Sequence, residues 1–320
     1  MNKRNIEAIY PLSPMQQGLL FHSVYAPESG VYIEQMHCTL RGALEVAAFR
    51  RAWQRVIERQ SVLRTCFVWQ NLEKALQVVQ RQVELPFAEH NWRHWSAHEQ
   101  QAQLEIFLKQ EAARGFDLAK APLLRLTLLR TGAEAWRFVF THHHLLLDGW
   151  SLPLLFREVF SFYAAFAQGQ ELSLPPVRPY RDYINWLQKQ NPAEAELFWR
   201  QTLSGLTTPT PLPLEHAATE ITPETTGYQL LPCRLPATLT EALQQFVRKN
   251  HITLNTLIQG AWALLLARYS GESDVVFGAT VSGRPAELPG VESMVGLFIN
   301  SLPVRATINP QENVLPLLRQ

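Results

Sequence analysis

The spacing of apolar and polar positions divides the chain into two successive α/β patterns. Positions 45–60 follow the period of an amphipathic helix, with arginines on one side and four apolar side chains on the other: Phe49, Trp53, Val56 and Ile57. The rest of the first half predicts strands at Leu63–Trp69, Ala75–Val79, Leu123–Leu129 and Trp136–His142, and helices at His98–Arg114 and Ser151–Ala167.

Proline-marked connections at Leu174–Pro179 and Thr207–Pro213 introduce the second pattern. Helices are predicted between them near Tyr180–Gln190 and Ala193–Leu203, and a polar surface loop is predicted at Ala217–Thr226. The second pattern predicts a strand at Tyr228–Leu235, helices at Thr238–Asn250 and Leu254–Tyr269, and strands at Asp274–Ser282 and Leu297–Thr307. We therefore expect an N-terminal part at residues 1–175, connecting helices and loops at 176–227, and a C-terminal part at 228–320.

The composition narrows the class of protein. The 320 residues are 47% apolar and 18% charged, with a net charge of +1, which favours a globular protein over a nucleic-acid or membrane-surface binder. Cys38, Cys66 and Cys233 lie far apart in apolar stretches, without the spacing of zinc ligands. No apolar segment suits a secretion signal or a membrane span, so we expect a cytoplasmic protein that binds neither nucleic acid nor membranes.

The candidate chemistry lies in the run Thr141–Ser151, where three histidines end an apolar strand. Because side chains alternate along a strand, His142 and His144 should share one face and His143 should point to the other. Histidine is the side chain best suited to taking up a proton near neutral pH. Gly149 follows Asp148 and predicts a sharp turn before the next helix.

Within this run, His143-His144-x-x-x-Asp148-Gly149 resembles the HHxxxDG signature of nonribosomal peptide synthetase condensation domains. Four further segments resemble motifs of the same family in the same order. They are Tyr10–Ser23, Arg59–Phe67 (with Gln60 where histidine is usual), Tyr180–Trp186 and Val295–Arg305.

The resemblance implies a fold of the α/β (α+β) class, with two chloramphenicol-acetyltransferase-like lobes in a V-shaped pseudodimer and a central tunnel. Family members normally continue for about another hundred residues, the length that a complete second lobe needs. We therefore expect the second lobe to be incomplete and the chain to be a fragment of a larger synthetase, whose activity on its own is an open question.

The resemblance also assigns roles to residues. His144 matches the catalytic position, where it acts either as a general base or as a hydrogen-bond partner that orients the amine, and both alternatives stay open. The N–H of Gly149 or of a neighbour would face the developing oxyanion. The residues expected to lie near the substrate or the tunnel are Ser13, Gln16, Trp150, Ser151, Asn300 and Ser301.

Three residues are expected to support the site. The resemblance implies that Asp148 turns away from the cleft and forms a buried pair with Arg64, although a triad in which it orients His144 is the alternative. His143 is expected to brace the turn. A metal site from His142, His144 and Asp148 is the weakest alternative, and we expect no bound metal.

The function implied is that of an acyltransferase that joins a donor peptidyl or aminoacyl thioester to an acceptor aminoacyl thioester. The residues of these motifs most resemble those of the subtype whose donor ends in a D-residue. No cofactor is expected on the chain itself, because 4′-phosphopantetheine is carried by partner proteins. The expected partners are an upstream donor and a downstream acceptor peptidyl carrier protein, beside adenylation and possibly epimerisation domains. An epimerisation domain and a non-catalytic recruitment platform remain the alternatives.

Overall fold

The structure is a computed structural model that describes residues 3–212 and 232–319. Its strands are β1 Ile6–Pro11, β2 Ile33–Arg41, β3 Thr65–Val68, β4 Leu76–Gln80, β5 Phe87–Asn91, β6 Leu124–Arg130, β7 Ala135–His143, β8 Asp274–Val281 and β9 Asn300–Thr307. Its α-helices are α1 Pro14–Tyr25, α2 Val46–Arg59, α3 Ala97–Ala113, α4 Ser151–Ala167, α5 Arg181–Leu187, α6 Pro192–Thr202, α7 Ala237–Lys249, α8 Leu254–Ser270 and α9 Val314–Leu317. The mixed α/β class agrees with the prediction from the sequence.

The chain forms two compact units, and the first of them is discontinuous. Unit 1 comprises residues 1–190 and 281–300, and unit 2 comprises residues 191–280 and 301–320. The expected boundaries at 175 and 228 therefore differ from those of the compact units, chiefly because residues 281–300 belong to unit 1. The assignment of the N-terminal and C-terminal parts to two acetyltransferase-like lobes stays a prediction.

Unit 1 contains two antiparallel-rich sheets. One has the strand order β2-β7-β6-β5, in which only β5 pairs in parallel, and the other has the order β1-β4-β3. Helices α2 and α4 share one hydrophobic core with β7. The Trp53 ring of α2 lies 5.3 Å from Phe140 of β7, and Phe49 lies 5.3 Å from Phe138. This apolar layer fixes β7, the strand that carries the histidines.

Unit 2 contains α6 to α9 and the two-stranded sheet β8-β9. Arg305 of β9 joins its parts, because it pairs with Asp274 of β8 at 2.6 Å and donates to the carbonyl of Thr202 at 3.0 Å. Among the described residues, no helix is long and apolar enough to cross a membrane.

Most elements were predicted within a few residues, and α4 was predicted with its observed bounds. Strands β1, β2 and β5 were not predicted. The predicted loop at Ala217–Thr226 and the first half of the predicted strand at Tyr228–Leu235 lie outside the described residues, and residues 232–235 are described but do not form a strand.

Candidate active site

Residues 142–144 lie at the carboxyl end of β7, in the interior of the four-stranded sheet. His144 follows the last strand residue, but its N–H still donates to the carbonyl of Tyr32 at 2.9 Å, so the register of β2 and β7 continues through it. Side chains two positions apart in such a ladder face the same side. The side chains of His142 and His144 therefore face the same side of the sheet, and that of His143 faces the opposite side.

His143 ties the end of β7 to α1. Its Nδ1 accepts the N–H of Leu145 at 3.1 Å, and its Nε2 lies 3.3 Å from the hydroxyl of Ser23. That hydroxyl donates its own proton to the carbonyl of Leu19 at 2.8 Å, so it accepts from Nε2. The ring is neutral with its proton on Nε2, and burial, with His144 nearby, lowers the pKa of His143 to about 4.

His142 is 4% exposed and lies parallel to Phe140, with ring centroids 4.8 Å apart. Burial, followed by the two neighbouring imidazoles, lowers the pKa of His142 to about 3. Its Nδ1 is buried without a hydrogen-bond partner among the residues that the structure describes. His142 is therefore a buried, uncharged imidazole, and its Nδ1 is an unsatisfied polar atom within the described part of the protein.

His144 differs from both neighbours because its side chain is half-buried. Its Nδ1 is enclosed and has no partner within residues 3–212 and 232–319. This leaves Nε2 as the ring nitrogen that can meet another molecule. The neighbouring strands hold the end of β7, so the backbone of His144 is fixed and sets the direction of its side chain.

Asp148 anchors the loop that follows the histidines. Its Oδ1 accepts the N–H of Ser151 at 2.9 Å, and its Oδ2 accepts the N–H of Phe298 at 3.0 Å. The guanidinium of Arg284 lies 3.3 Å from Oδ1, with side chains 5% and 1% exposed for the arginine and the aspartate. The Asp148 N–H also donates to the carbonyl of Gly296 at 3.1 Å. The loop is thus bound to residues 284–298 of the same unit.

The expected pair between Asp148 and Arg64 is wrong. Arg64 instead pairs with Glu7 of β1 at 2.6 Å and donates to the carbonyls of Ile57, at 3.1 Å, and Gln80. These groups bind Nε and Nη1 of its guanidinium at the ends of β1, α2 and β4, so Arg64 holds those elements together. The buried carboxylate of Asp148 receives its counter-charge from Arg284, which the sequence did not point to as a site residue.

The backbone around Arg284 requires glycine at one position. Gly283 has a φ of 59°, and a Cβ there would lie 1.8 Å from the carbonyl oxygen of Phe298. This close approach places the Arg284 guanidinium 3.9 Å from the Phe298 ring centroid, and its Nη1 donates to the Met294 carbonyl at 2.9 Å. The arginine is held between the ring and the carboxylate.

Three of the residues expected near the substrate or the tunnel are buried and hydrogen-bonded to other groups of the protein. The Ser13 hydroxyl accepts the N–H of Gln16 at 3.2 Å in a capping box at the start of α1. The Gln16 amide donates to the carbonyl of Leu145 at 3.1 Å, directly after the histidines. The Ser151 hydroxyl accepts the N–H of Gly296 at 3.0 Å. Ser13, Gln16 and Ser151 therefore support the loop from inside, and their expected position near the substrate or the tunnel stays a prediction.

The other expected residues are exposed. The predicted sharp turn after Asp148 is present, because the N–H of Ser151 donates to the Asp148 carbonyl at 3.1 Å. Gly149 has no positive φ and its Cβ position is open, so this turn does not require glycine. No acceptor in the described part of the chain receives the Gly149 N–H. The Trp150 indole donates to the carbonyl of Glu292 at 3.0 Å, and Asn300 and Ser301 begin β9.

No group of three or more histidine, cysteine or carboxylate side chains in the described ranges could hold a metal ion. His142, His144 and Asp148 do not form such a group, because the carboxylate faces Ser151, Phe298 and Arg284.

Solved structures define the class of this fold. The first condensation domain of the calcium-dependent antibiotic synthetase, in complex with a substrate analogue, matches with a TM-score of 0.78 at 18% identity and covers 98% of this chain and 73% of its own. The X-domain in a complex with OxyB from teicoplanin biosynthesis matches with a TM-score of 0.79 at 24% identity, over 100% of this chain and 69% of its own. The α/β fold of condensation domains is thereby shown.

The chain belongs to the condensation domain family, whose model matches residues 6–320. It is 49% identical over 315 residues to a component of the linear gramicidin synthase of Brevibacillus parabrevis, a match that covers 98% of this chain. It is 40% identical over 316 residues to a component of the mycosubtilin synthase of Bacillus subtilis, again over 98% of the chain. The chain spans only 6% and 12% of the length of these two relatives.

Proposed function

We propose that the chain forms an amide bond between two carrier-bound substrates in a nonribosomal peptide synthetase. The amine nitrogen of an acceptor aminoacyl thioester attacks the thioester carbonyl of a donor. The C–N bond forms, the C–S bond breaks, and the donor's pantetheine thiol leaves with a proton. The observation that carries the proposal is the half-buried imidazole of His144 at a strand end, followed five positions later by the exposed residue Gly149, whose N–H meets no acceptor in the described ranges.

His144 has the chemistry that this step needs. A thioester is already activated, so the main requirements are to hold both arms in place and to manage the proton of the attacking amine. A neutral Nε2 can accept that proton or a hydrogen bond from the amine. The Gly149 N–H supplies a donor for the negative charge that develops on the carbonyl oxygen.

The support for the site comes from residues behind it. His143, Asp148 and Arg284 fix the loop on both sides of His144 through the contacts described above. Trp150, Asn300 and Ser301 are exposed and are proposed to meet the substrates. The two arms are proposed to be 4′-phosphopantetheine chains on an upstream donor and a downstream acceptor carrier protein, so the chain itself needs no cofactor.

We also infer a donor that ends in a D-residue, because the residues of three segments, 13–22, 144–153 and 281–290, resemble those of the D-donor subtype. The epimerisation alternative needs a second acid–base group, and the platform alternative needs no His144 chemistry. These three functions differ in what a D-loaded or L-loaded donor yields.

The test follows product formation by intact-protein mass, in the chain's synthetase context with loaded carrier proteins. Dipeptide from the D-donor alone, lost in His144→Ala and kept in the control His98→Ala, is the expected result, because His98 is an exposed histidine on α3. Equal product from both donors overturns the D-donor assignment. Inversion of a loaded residue without dipeptide indicates epimerisation, and no reaction in a folded protein indicates the platform.

A further inference from the structure

Gly149 makes no contact of its own that would orient its N–H. No acceptor in the described part of the chain receives this N–H, and a Cβ at Gly149 would meet open space. Glycine also has the widest choice of backbone conformations of all residues. The direction of the Gly149 N–H therefore depends on how the two neighbouring residues, Asp148 and Trp150, are held.

Asp148 holds the peptide group that carries this N–H. Its carbonyl accepts the N–H of Ser151 at 3.1 Å, and its carboxylate is bound to residues 284–298 through the contacts described above. The C=O and the N–H of a trans peptide group point in opposite directions, so the Gly149 N–H points away from the Ser151 N–H. One side of Gly149 is thus held.

Trp150 holds the other side of Gly149. Its indole N–H donates to the carbonyl of Glu292 at 3.0 Å, and the Cζ atom of Arg284 lies 5.7 Å from its ring centroid. An arginine at this distance from an indole ring attracts it as a cation–π pair. The Trp150 side chain is therefore fixed at two points, although the residue is 54% exposed.

The acceptor carbonyl of Glu292 is itself held in place. Arg284 donates to the carbonyls of Val291 and Met294, one on the N-terminal and one on the C-terminal side of Glu292. Both of these residues are buried, and the N–H of Met294 closes the turn on the Val291 carbonyl at 3.2 Å. The hydrogen bond from Trp150 therefore ends on a turn that Arg284 fixes.

We propose that Trp150 is a positioning residue, whose indole N–H directs the Gly149 N–H at the carbonyl oxygen of the donor thioester. This inference rests on the function proposed for Gly149 and extends it. The negative charge on that oxygen develops only in the transition state, so the hydrogen bond of Trp150 acts on kcat and leaves the binding of the substrates unchanged. Its contribution to folding is small, because an exposed N–H loses little by exchanging a carbonyl for water.

The first test observes Gly149 itself and does not depend on activity. Benzothienylalanine in place of Trp150 keeps the two-ring shape and removes the N–H, whereas fluorotryptophan keeps both and is the matched control. In the ¹⁵N-labelled full chain, we expect a backbone order parameter for Gly149 of about 0.85 in the wild type and in the control, and of about 0.6 or less in Trp150→benzothienylalanine. A mobile Gly149 in the wild type, or an unchanged order parameter in the variant, overturns the proposal.

The second test follows dipeptide formation in the synthetase context, with loaded carrier proteins. We expect Trp150→benzothienylalanine to lower kcat about tenfold with KM unchanged, which is less than the roughly 10²–10³-fold loss caused by removal of an oxyanion donor. The fluorotryptophan control should keep the wild-type kcat, and both proteins should keep the wild-type Tm.

The outcomes separate this inference from the proposed function. Wild-type kcat in Trp150→benzothienylalanine overturns the positioning role, and a lowered Tm in that variant overturns it in favour of a role in the fold. If the wild type makes no amide while Gly149 responds as expected, the proposed function fails and the hold of Trp150 on Gly149 stands.

Discussion

Asp148 and Arg284 are 136 positions apart in the chain and form a buried ion pair at 3.3 Å behind the histidine loop. The carboxylate also accepts two backbone N–H groups, from Ser151 and Phe298. These contacts commit both of its oxygens to the loop and to residues 284–298. The arrangement favours a supporting role for Asp148 over the triad alternative.

The first prediction concerns this pair. Asp148→Ala leaves the Arg284 charge buried without a partner and is expected to lower the free energy of unfolding by about 3–5 kcal/mol. Urea denaturation measures the loss. The matched control is Asp182→Ala, which removes a partly exposed pair with Arg178 and is expected to cost less than about 1 kcal/mol. Equal, small losses in both variants contradict the supporting role.

The second prediction concerns pH. The folded chain lowers the pKa of His142 to about 3 and of His143 to about 4, so the unfolded chain binds more protons below its ordinary pKa near 6.5. Their stabilising effect is complete above a pH of about 6.5 and is lost as the pH falls toward the folded values. Between about pH 7.5 and about pH 5, each histidine is expected to cost about 2 kcal/mol.

Urea unfolding at the two pH values checks this expectation. His142→Phe should remove its own share of the loss, because phenylalanine does not titrate. His98→Phe, at an exposed position, should keep the wild-type dependence. Parallel pH profiles in His142→Phe and the wild type would show that His142 does not couple folding to protonation.

The third prediction concerns Gln16, which the family resemblance placed near the substrate. Its amide donates to the carbonyl of Leu145, so Gln16→Ala leaves buried polar groups unpaired and is expected to cost about 1–3 kcal/mol. The neighbouring Gln17→Ala, at an exposed position, is expected to change little. Thermal melts of both variants test it, and a stable Gln16→Ala variant that has lost activity would show that Gln16 acts on the substrate and not on stability.

The fourth prediction compares two glycines. A Cβ at Gly296 would lie 2.2 Å from the ring of Tyr180, whereas a Cβ at Gly149 meets open space. Gly296→Ala is therefore expected to lower Tm clearly and Gly149→Ala to leave it unchanged. If substrates occupy the space beside Gly149, the same Gly149→Ala protein should lose kcat/KM. Full activity there would place the reacting carbonyl elsewhere.

The sequence predicts elements well where local signals agree. Helix α4 has a continuous apolar face and a preceding Asp-Gly turn, and its bounds were predicted as observed. Strand β5 could not be found, because four of its five residues are exposed and it pairs in parallel with β6. Strand β2 carries a signal in the sequence, since Met36, Cys38 and Leu40 alternate with polar residues, and its burial largely alternates as well.

The residues of the candidate site also differ in how well the sequence predicts them. The neighbours of His144 in the chain were identified from the motif, but the partner of Asp148 was not. Gly283-Arg284-Pro285 signals a turn without revealing which carboxylate its arginine reaches. A long-range pair depends on how two distant segments pack, and spacing along one sequence does not encode it.

The discontinuity of unit 1 has a consequence for biosynthesis. The chain leaves this unit after residue 190 and returns at residue 281, so Asp148 is made long before Arg284. At roughly 5–20 residues per second, a ribosome needs on the order of ten seconds to add the 136 residues between them. During that interval the histidine loop has no Arg284 to close on. The nascent N-terminal part can complete this buried ion pair only after residues 281–300 have emerged.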